Sequence, residues 1–185
     1  MDSVEQICNH IKDILNQYGV KYSFNSEYSS FTATFLPAKS AISFCNTNIY
    51  VRQDYIYAYA IFPFRTDEKK YTQVAQFIND TSSKLKCGNF EIDYHDGEIR
   101  CKVNFEYTDP LIPNHILKNL ISFPSKALNI YSKQLMDIIF KEDSNTFTQE
   151  REENIPLNSE INSSQDLEVI PAIVTATAGG TDEED

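Results

Sequence analysis

The stretch Cys87–Tyr107, CGNFEIDYHDGEIRCKVNFEY, decides the fold. Two alternating runs flank Asp96-Gly97, a dipeptide strongly favoured in two-residue hairpin turns. Such a turn needs positive φ, which Gly accepts and Asp tolerates. A loop of these two residues sets His95 opposite Glu98, Asp93 opposite Arg100, Glu91 opposite Lys102 and Asn89 opposite Asn104. Two of these pairs join opposite charges, each contributing roughly 0.2–1 kcal/mol. The other face pairs Tyr94 with Ile99, Ile92 with Cys101 and Phe90 with Val103. A slip of one residue would put these side chains in water and the charges in the core. The stretch therefore reads as an antiparallel hairpin with one apolar and one ionic face.

Asp93, His95, Asp96 and Glu98 also suggest a small acidic metal site. Asp93 and His95 share a face, but Asp96 falls in the turn, and ion pairing already accounts for Asp93. The preferred reading is a solvated face ending in a turn, with no metal and no cofactor.

Upstream, Thr66 is placed to cap a helix, with Asp67 and Glu68 at its positive end. Tyr71, Val74, Ile78, Thr81 and Leu85 recur at helical spacing, and Gly88 follows where the helix would end. Residues 41–64 read as a hairpin turning near Gln53-Asp54, with Ile49 opposite Ala58 and Val51 opposite Ile56. Its second face carries Tyr50, Tyr55, Tyr57 and Tyr59, with Arg52 and Asn48. Such a row lies under a helix with its hydroxyls reaching water, the reading preferred here, or it forms a dimer or ligand surface. Tyr50, Arg52, Tyr55, Tyr57 and Tyr59 are the candidate binding residues.

Nearer the start, Val20, Tyr22 and Phe24 alternate, as do Phe31, Ala33 and Phe35 before Pro37. Ser3 with Gln6 resembles a capping box. Val4, Ile7, Cys8, Ile11, Leu15 and Tyr18 then mark a helix that Gly19 can close. After the central stretch, Ile116, Leu117, Leu120 and Ile121 form one stripe, and Ala127, Leu128, Tyr131, Leu135, Ile138 and Ile139 another. Pro124 between them predicts either a kinked helix or two short ones. The expected order is α-β-β-β-β-α-β-β-α, a mostly antiparallel α+β layer fold over residues 1–140.

Charge separates that domain from the C-terminal segment. From Lys141 onward there are 12 acidic and 2 basic residues, a net of −10, whereas residues 1–140 carry 15 and 14, a net of −1. Residues 141–185 are expected to form a disordered acidic tail. One apolar island interrupts it, and Leu167, Val169, Ile170, Ile173 and Val174 are candidate docking residues there. Nucleic acid is not an expected partner, because phosphate binding needs clustered Lys and Arg. No apolar run is long enough to span a membrane, no secretory pattern opens the sequence, and a cytoplasmic protein is expected.

Chemistry is sparse. The four cysteines, Cys8, Cys45, Cys87 and Cys101, include no CxxC pair, and no disulfide framework is expected. Cys87 with His95 is the one nucleophile-and-base candidate, and no local signature supports it. The motifs of phosphate loops, dinucleotide sites and zinc proteases are missing. No catalytic residue is assigned, and the chain is not expected to be an enzyme.

The run Gln76-Phe77-Ile78-Asn79, followed by Leu85-Lys86-Cys87-Gly88-Asn89-Phe90-Glu91-Ile92-Asp93 and Asp96-Gly97-Glu98-Ile99-Arg100, resembles the YbjN family of bacterial proteins. Their fold is similar to that of type III secretion chaperones. The resemblance spans roughly residues 1–140 and implies a compact domain, a homodimer, and a binding or regulatory role without known chemistry. The acidic tail lies outside the family pattern. Two expectations result: a chaperone-like or regulatory adaptor that binds a protein or peptide, or a small-molecule sensor or weak enzyme using a pocket beside Tyr50, Tyr57 and Tyr59.

Overall fold

The structure, a computed structural model, describes residues 3–35 and 41–141. The expected order holds: α1 (Ser3–Gln17), β1 (Lys21–Asn25), β2 (Ser30–Phe35), β3 (Cys45–Val51), β4 (Tyr55–Ile61), α2 (Tyr71–Ser82), β5 (Asn89–Asp93), β6 (Glu98–Glu106) and α3 (Asn114–Phe140). The strands form one six-stranded antiparallel sheet in the order β1-β2-β3-β4-β6-β5. The protein is an α+β fold.

α1 buries Ile7, Cys8, Ile11, Ile14 and Leu15 along one stripe. It ends as its glycine suggests. Gly19 has φ +62, Val20 N–H donates to the Leu15 carbonyl at 2.9 Å and Gly19 N–H to that of Asn16 at 3.0 Å. This pair of bonds satisfies carbonyls that the helix end would leave bare, and Leu15 and Val20 are both buried in the core.

The β3–β4 hairpin takes the expected register, with Ile49 opposite Ala58 and Val51 opposite Ile56. Its apolar residues face the core. The buried side chains of the sheet and of all three helices form a single cluster. Phe31, Ile49, Ala58 and Val103 follow one another across it in register. One face of the sheet thus meets the helices.

The β5–β6 hairpin departs from expectation by two residues. Asp93 pairs with Glu98, Ile92 with Ile99, Glu91 with Arg100, Phe90 with Cys101 and Asn89 with Lys102. The connection is four residues, Tyr94–Gly97, in place of Asp96-Gly97 alone. A two-residue turn of the expected kind needs positive φ at both residues, and here Gly97 has it at +73 while Asp96 does not. Two aspartates hold the longer loop: Asp93 Oδ1 accepts from His95 N–H at 2.9 Å and Asp96 Oδ1 from Glu98 N–H at 3.0 Å. A shift of two keeps every side chain on its face, so apolar alternation alone does not distinguish the registers. Tyr94 is the exception. Expected on the core face, it lies in the loop at 58% exposure, edge-on to Tyr71 at 5.3 Å.

The second helix also differs at both ends. Asp67, not Thr66, is the cap: its Oδ1 accepts from Lys69 N–H at 3.0 Å and opens a single 3-10 turn, Glu68–Lys70, before α2. Thr66 instead packs against the hairpin loop, its N–H donating to the Gly97 carbonyl at 2.9 Å. α2 ends at Ser82, six residues before Gly88, and Leu85 follows it in the half-buried connection.

α3 resolves the expected alternative as one uninterrupted helix with Pro124 inside. Proline costs a helix interior about 3 kcal/mol. Leu120, Ile121, Ser122, Phe123, Pro124 and Ser125 are all buried, so this turn is enclosed by protein. Each large apolar side chain so buried contributes about 1.5–3 kcal/mol, and packing outweighs the local penalty.

Candidate functional site

The sheet face turned away from the core is the candidate site. Register alone builds it. Across the middle run Ser23, Thr32, Asn48, Tyr59 and Lys102. On one side of that row lie Ser30, Tyr50, Tyr57 and Asn104, and on the other Lys21, Thr34, Asn46, Ile61 and Arg100. Tyr55 opposite Glu106, and Arg52 beyond Tyr50, finish one end. Tyr50, Tyr57 and Tyr59 are half-buried, and Tyr55 is exposed. The expectation that these tyrosines lie under a helix is therefore corrected. The helices pack on the opposite, apolar face, and among the described residues this face is open.

Its composition changes from strand to strand. β2 and β3 offer hydroxyls and amides that pair with each other, Thr32 Oγ1 to Asn48 Oδ1 at 2.9 Å and Thr34 Oγ1 to Asn46 Oδ1 at 3.1 Å. The tyrosines form the centre. Tyr50 and Tyr57 stack with centroids 4.7 Å apart and planes 5° from parallel. Tyr50 and Tyr59 lie at 6.0 Å, Tyr55 and Tyr57 at 5.9 Å, and Tyr57 and Tyr59 at 6.4 Å. Offset stacking of this kind adds about 0.5–1.5 kcal/mol per pair beyond burial.

Cations border the rings. The Arg52 guanidinium stands 5.3 Å from the Tyr50 centroid and 6.0 Å from that of Tyr57. It also donates to the Tyr28 and Val51 carbonyls, each at 2.9 Å. Lys102 lies 5.9 Å from Tyr57, and Arg100 lies 5.9 Å from Tyr59. Burial raises the pKa of Tyr57, against the pull of Arg52. Burial also raises that of Tyr59, helped by the Tyr50 hydroxyl 3.5 Å away. These phenols therefore remain hydrogen-bond donors through the neutral range.

The far end of the face is an ion-pair network. Arg100 meets Asp93 at 3.3 Å and both Glu91 and Glu98 at 3.8 Å, while Lys102 reaches Glu91 at 4.0 Å. Arg65 pairs with Asp96 and lies 3.6 Å from Glu98. The expected Asp93–Arg100 and Glu91–Lys102 pairs thus persist as diagonal neighbours. The carboxylates proposed for a metal have guanidinium groups among them, and the described residues include no group of three His, Cys, Asp or Glu arranged to hold a metal ion.

The remaining chemistry is dispersed. Cys87 and His95 lie beyond opposite ends of β5, a strand whose five residues span about 13 Å. Burial raises the Cys87 thiol and pushes Cys45 up to about 12, and it raises Cys8 and Cys101 as well, so none of the four is an activated thiolate. A shallow depression of about 660 Å³ lies elsewhere, beside the outward stripe Thr72, Ala75, Gln76, Asn79 and Asp80 of α2 and Tyr94. No helix among the described residues is long and apolar enough to cross a membrane.

The structure brings Tyr50, Arg52, Tyr55, Tyr57 and Tyr59 together as one surface. Asn48 stands there as expected, paired with Thr32, and Lys102 and Arg100 join that surface without having been expected there. Their place follows from β6 lying beside β4, a crossover that alternation within each hairpin does not reveal. Leu167, Val169, Ile170, Ile173 and Val174, and the rest of the acidic segment from residue 142, lie outside the described residues. No known family model matches the chain, and no curated protein matches its sequence.

Proposed function

We propose that the chain is a non-catalytic protein-binding module of the cytoplasm, a chaperone-like or regulatory adaptor, and that its open tyrosine face receives the partner. The observation that carries this reading is the segregation of the sheet into a helix-covered apolar face and an open face centred on four tyrosines bordered by Arg52 and Lys102. Tyrosine and arginine are enriched at interfaces because each pairs a large flat contact area with a polar tip. The resemblance to the YbjN family supports the same reading and adds a homodimer to it. The alternative, a small-molecule sensor or weak enzyme using the same tyrosines, is less well supported. The shallow depression beside α2 and Tyr94 is lined by none of these tyrosines.

The test compares affinity capture by the full chain with capture by a Tyr57→Ala, Tyr59→Ala variant whose cooperative melting transition lies above the assay temperature. Loss of one reproducible partner in the variant supports the reading. Equal capture by both, or none by either, counts against it. Light scattering on the purified full chain tests the homodimer independently.

A further inference from the structure

The two edges of the sheet are finished differently. At the β5 edge the end of α2 intervenes, and Phe90 N–H donates to Ser82 Oγ at 2.9 Å. β1 has β2 as its sole strand neighbour among the described residues. Tyr22 and Phe24 of β1 point to the core face, where they contact Phe31 at 5.8 and 4.6 Å, yet both remain half-exposed. An ammonium group lies over one of these rings. Lys12 stands 4.1 Å over Phe24, Lys118 stands 4.9 Å over Tyr18, and exposed Lys21 begins the strand on its other face. Asp13 and Glu27 are the nearby carboxylates on α1 and in the β1–β2 turn. An edge with free backbone groups, two half-covered rings and several cations suits an extended segment that is apolar and acidic in alternation.

The chain carries a segment that opens with this alternation, Asp166-Leu167-Glu168-Val169, and then runs apolar to Val174. Asp166-Leu167-Glu168-Val169-Ile170-Pro171-Ala172-Ile173-Val174 is rich in β-branched residues and lies in the part of the sequence that holds nearly all the net charge. The 27 residues from Lys141 to Leu167 can extend to about 85 Å. A domain of this size has a radius of gyration of only ~14 Å, so every edge is within reach.

We propose that residues 167–174 add to β1 of the same chain as a seventh strand. Leu167 and Val169 cover Tyr22 and Phe24, and Glu168 falls on the side of Lys21. Pro171 is compatible with this place, because the added strand becomes the new edge and its outer side needs no donor. The tyrosine face stays open, so this inference is independent of the partner reading above.

Amide hydrogen exchange on the full chain tests it, with a Glu168→Pro, Ala172→Pro variant, which removes donors on the side that faces β1, beside the natural sequence. The β1 amides that β2 does not take exchange more slowly in the natural chain by about tenfold or more, the effect of ~1.4 kcal/mol. The variant loses that protection while β3 and β4 amides keep theirs. Equal exchange of β1 in both chains overturns the proposal. If both are protected, light scattering shows whether a second copy covers the edge instead. Loss of protection throughout β3 and β4 also overturns it, because the segment would then belong to the core rather than lie against its edge.

Discussion

Two hairpins of this sheet share the same alternation of apolar and polar residues, and they teach different things. The β3–β4 hairpin turns at Gln53-Asp54, a dipeptide with no glycine, and its register is as expected. The β5–β6 hairpin contains Asp96-Gly97, the stronger turn signal, and its register is displaced by two. In the first, both strands lie in the middle of the sheet, and Ile49, Val51, Ile56 and Ala58 are at most 1% exposed. In the second, β5 is an edge strand, and its loop is pinned from outside by Arg65 and Thr66. Core packing dictates one register, and contacts made by a neighbouring segment choose the other.

That contrast predicts where each hairpin breaks. Ile49→Ala removes a fully buried side chain from the centre of the first and should cost about 2–5 kcal/mol, read from the denaturant midpoint. A loss under 1 kcal/mol would mean that the core does not hold this register.

The second hairpin should break at its loop. Gly97 has φ +73, and a Cβ there would stand 2.2 Å from the Thr66 carbonyl oxygen. Gly97→Ala should therefore cost at least ~2 kcal/mol, combining the left-handed penalty with a backbone clash. Gly19→Ala is the control. Its φ is +62 with nothing within 4 Å of the added carbon, so only the conformational part remains, about 1 kcal/mol. Equal losses at the two glycines would show that Thr66 does not fix the loop.

These differences mark how far the sequence could be read. Element order and the division of each strand into apolar and polar faces were legible, because periods of two and 3.6 are written in Phe31, Ala33 and Phe35 or in Ile7, Ile11 and Leu15. Register in β5–β6 was not, since a shift of two leaves the pattern intact and the deciding contacts come from Arg65 and Thr66. Pro124 left a kinked helix or two short ones open, and burial around it favours the single helix. For the site, the tyrosine row was legible within its own hairpin. Its openness was not, because the side on which helices pack depends on how the hairpins assemble. Arg100 and Lys102 came within reach of the rings only through the β4–β6 pairing.

The tyrosine row refines the first half of the comparison. If ring stacking adds to the core in holding β3–β4, a double-mutant cycle of Tyr50→Leu and Tyr57→Leu should give a coupling of about 0.5–1.5 kcal/mol. A coupling near zero would leave the apolar face as the sole source of that register and the tyrosines free for another task.

The smallest effect belongs to the loop of the second hairpin and appears as a pH dependence. The Arg65 side chain, and then the Glu98 backbone N–H, hold the Asp96 carboxyl below the ordinary carboxylate range. A group whose folded pKa is depressed stabilises the fold above its unfolded pKa, about 3.9 for Asp. That contribution disappears as pH falls through the lower, folded value. The natural chain should therefore exceed Asp96→Asn in denaturation midpoint at neutral pH. The gap should hold down to about pH 4 and then close on further acidification. Salt should narrow the gap at neutral pH, since both partners are exposed, Arg65 at 58% and Asp96 at 40%. A gap that persists unchanged into strong acid would show that neither the Arg65 charge nor the carboxylate's bond from Glu98 N–H produces it, because both are lost when Asp96 is protonated. The loop would then be held by backbone geometry, with the Arg65 charge contributing nothing to its register.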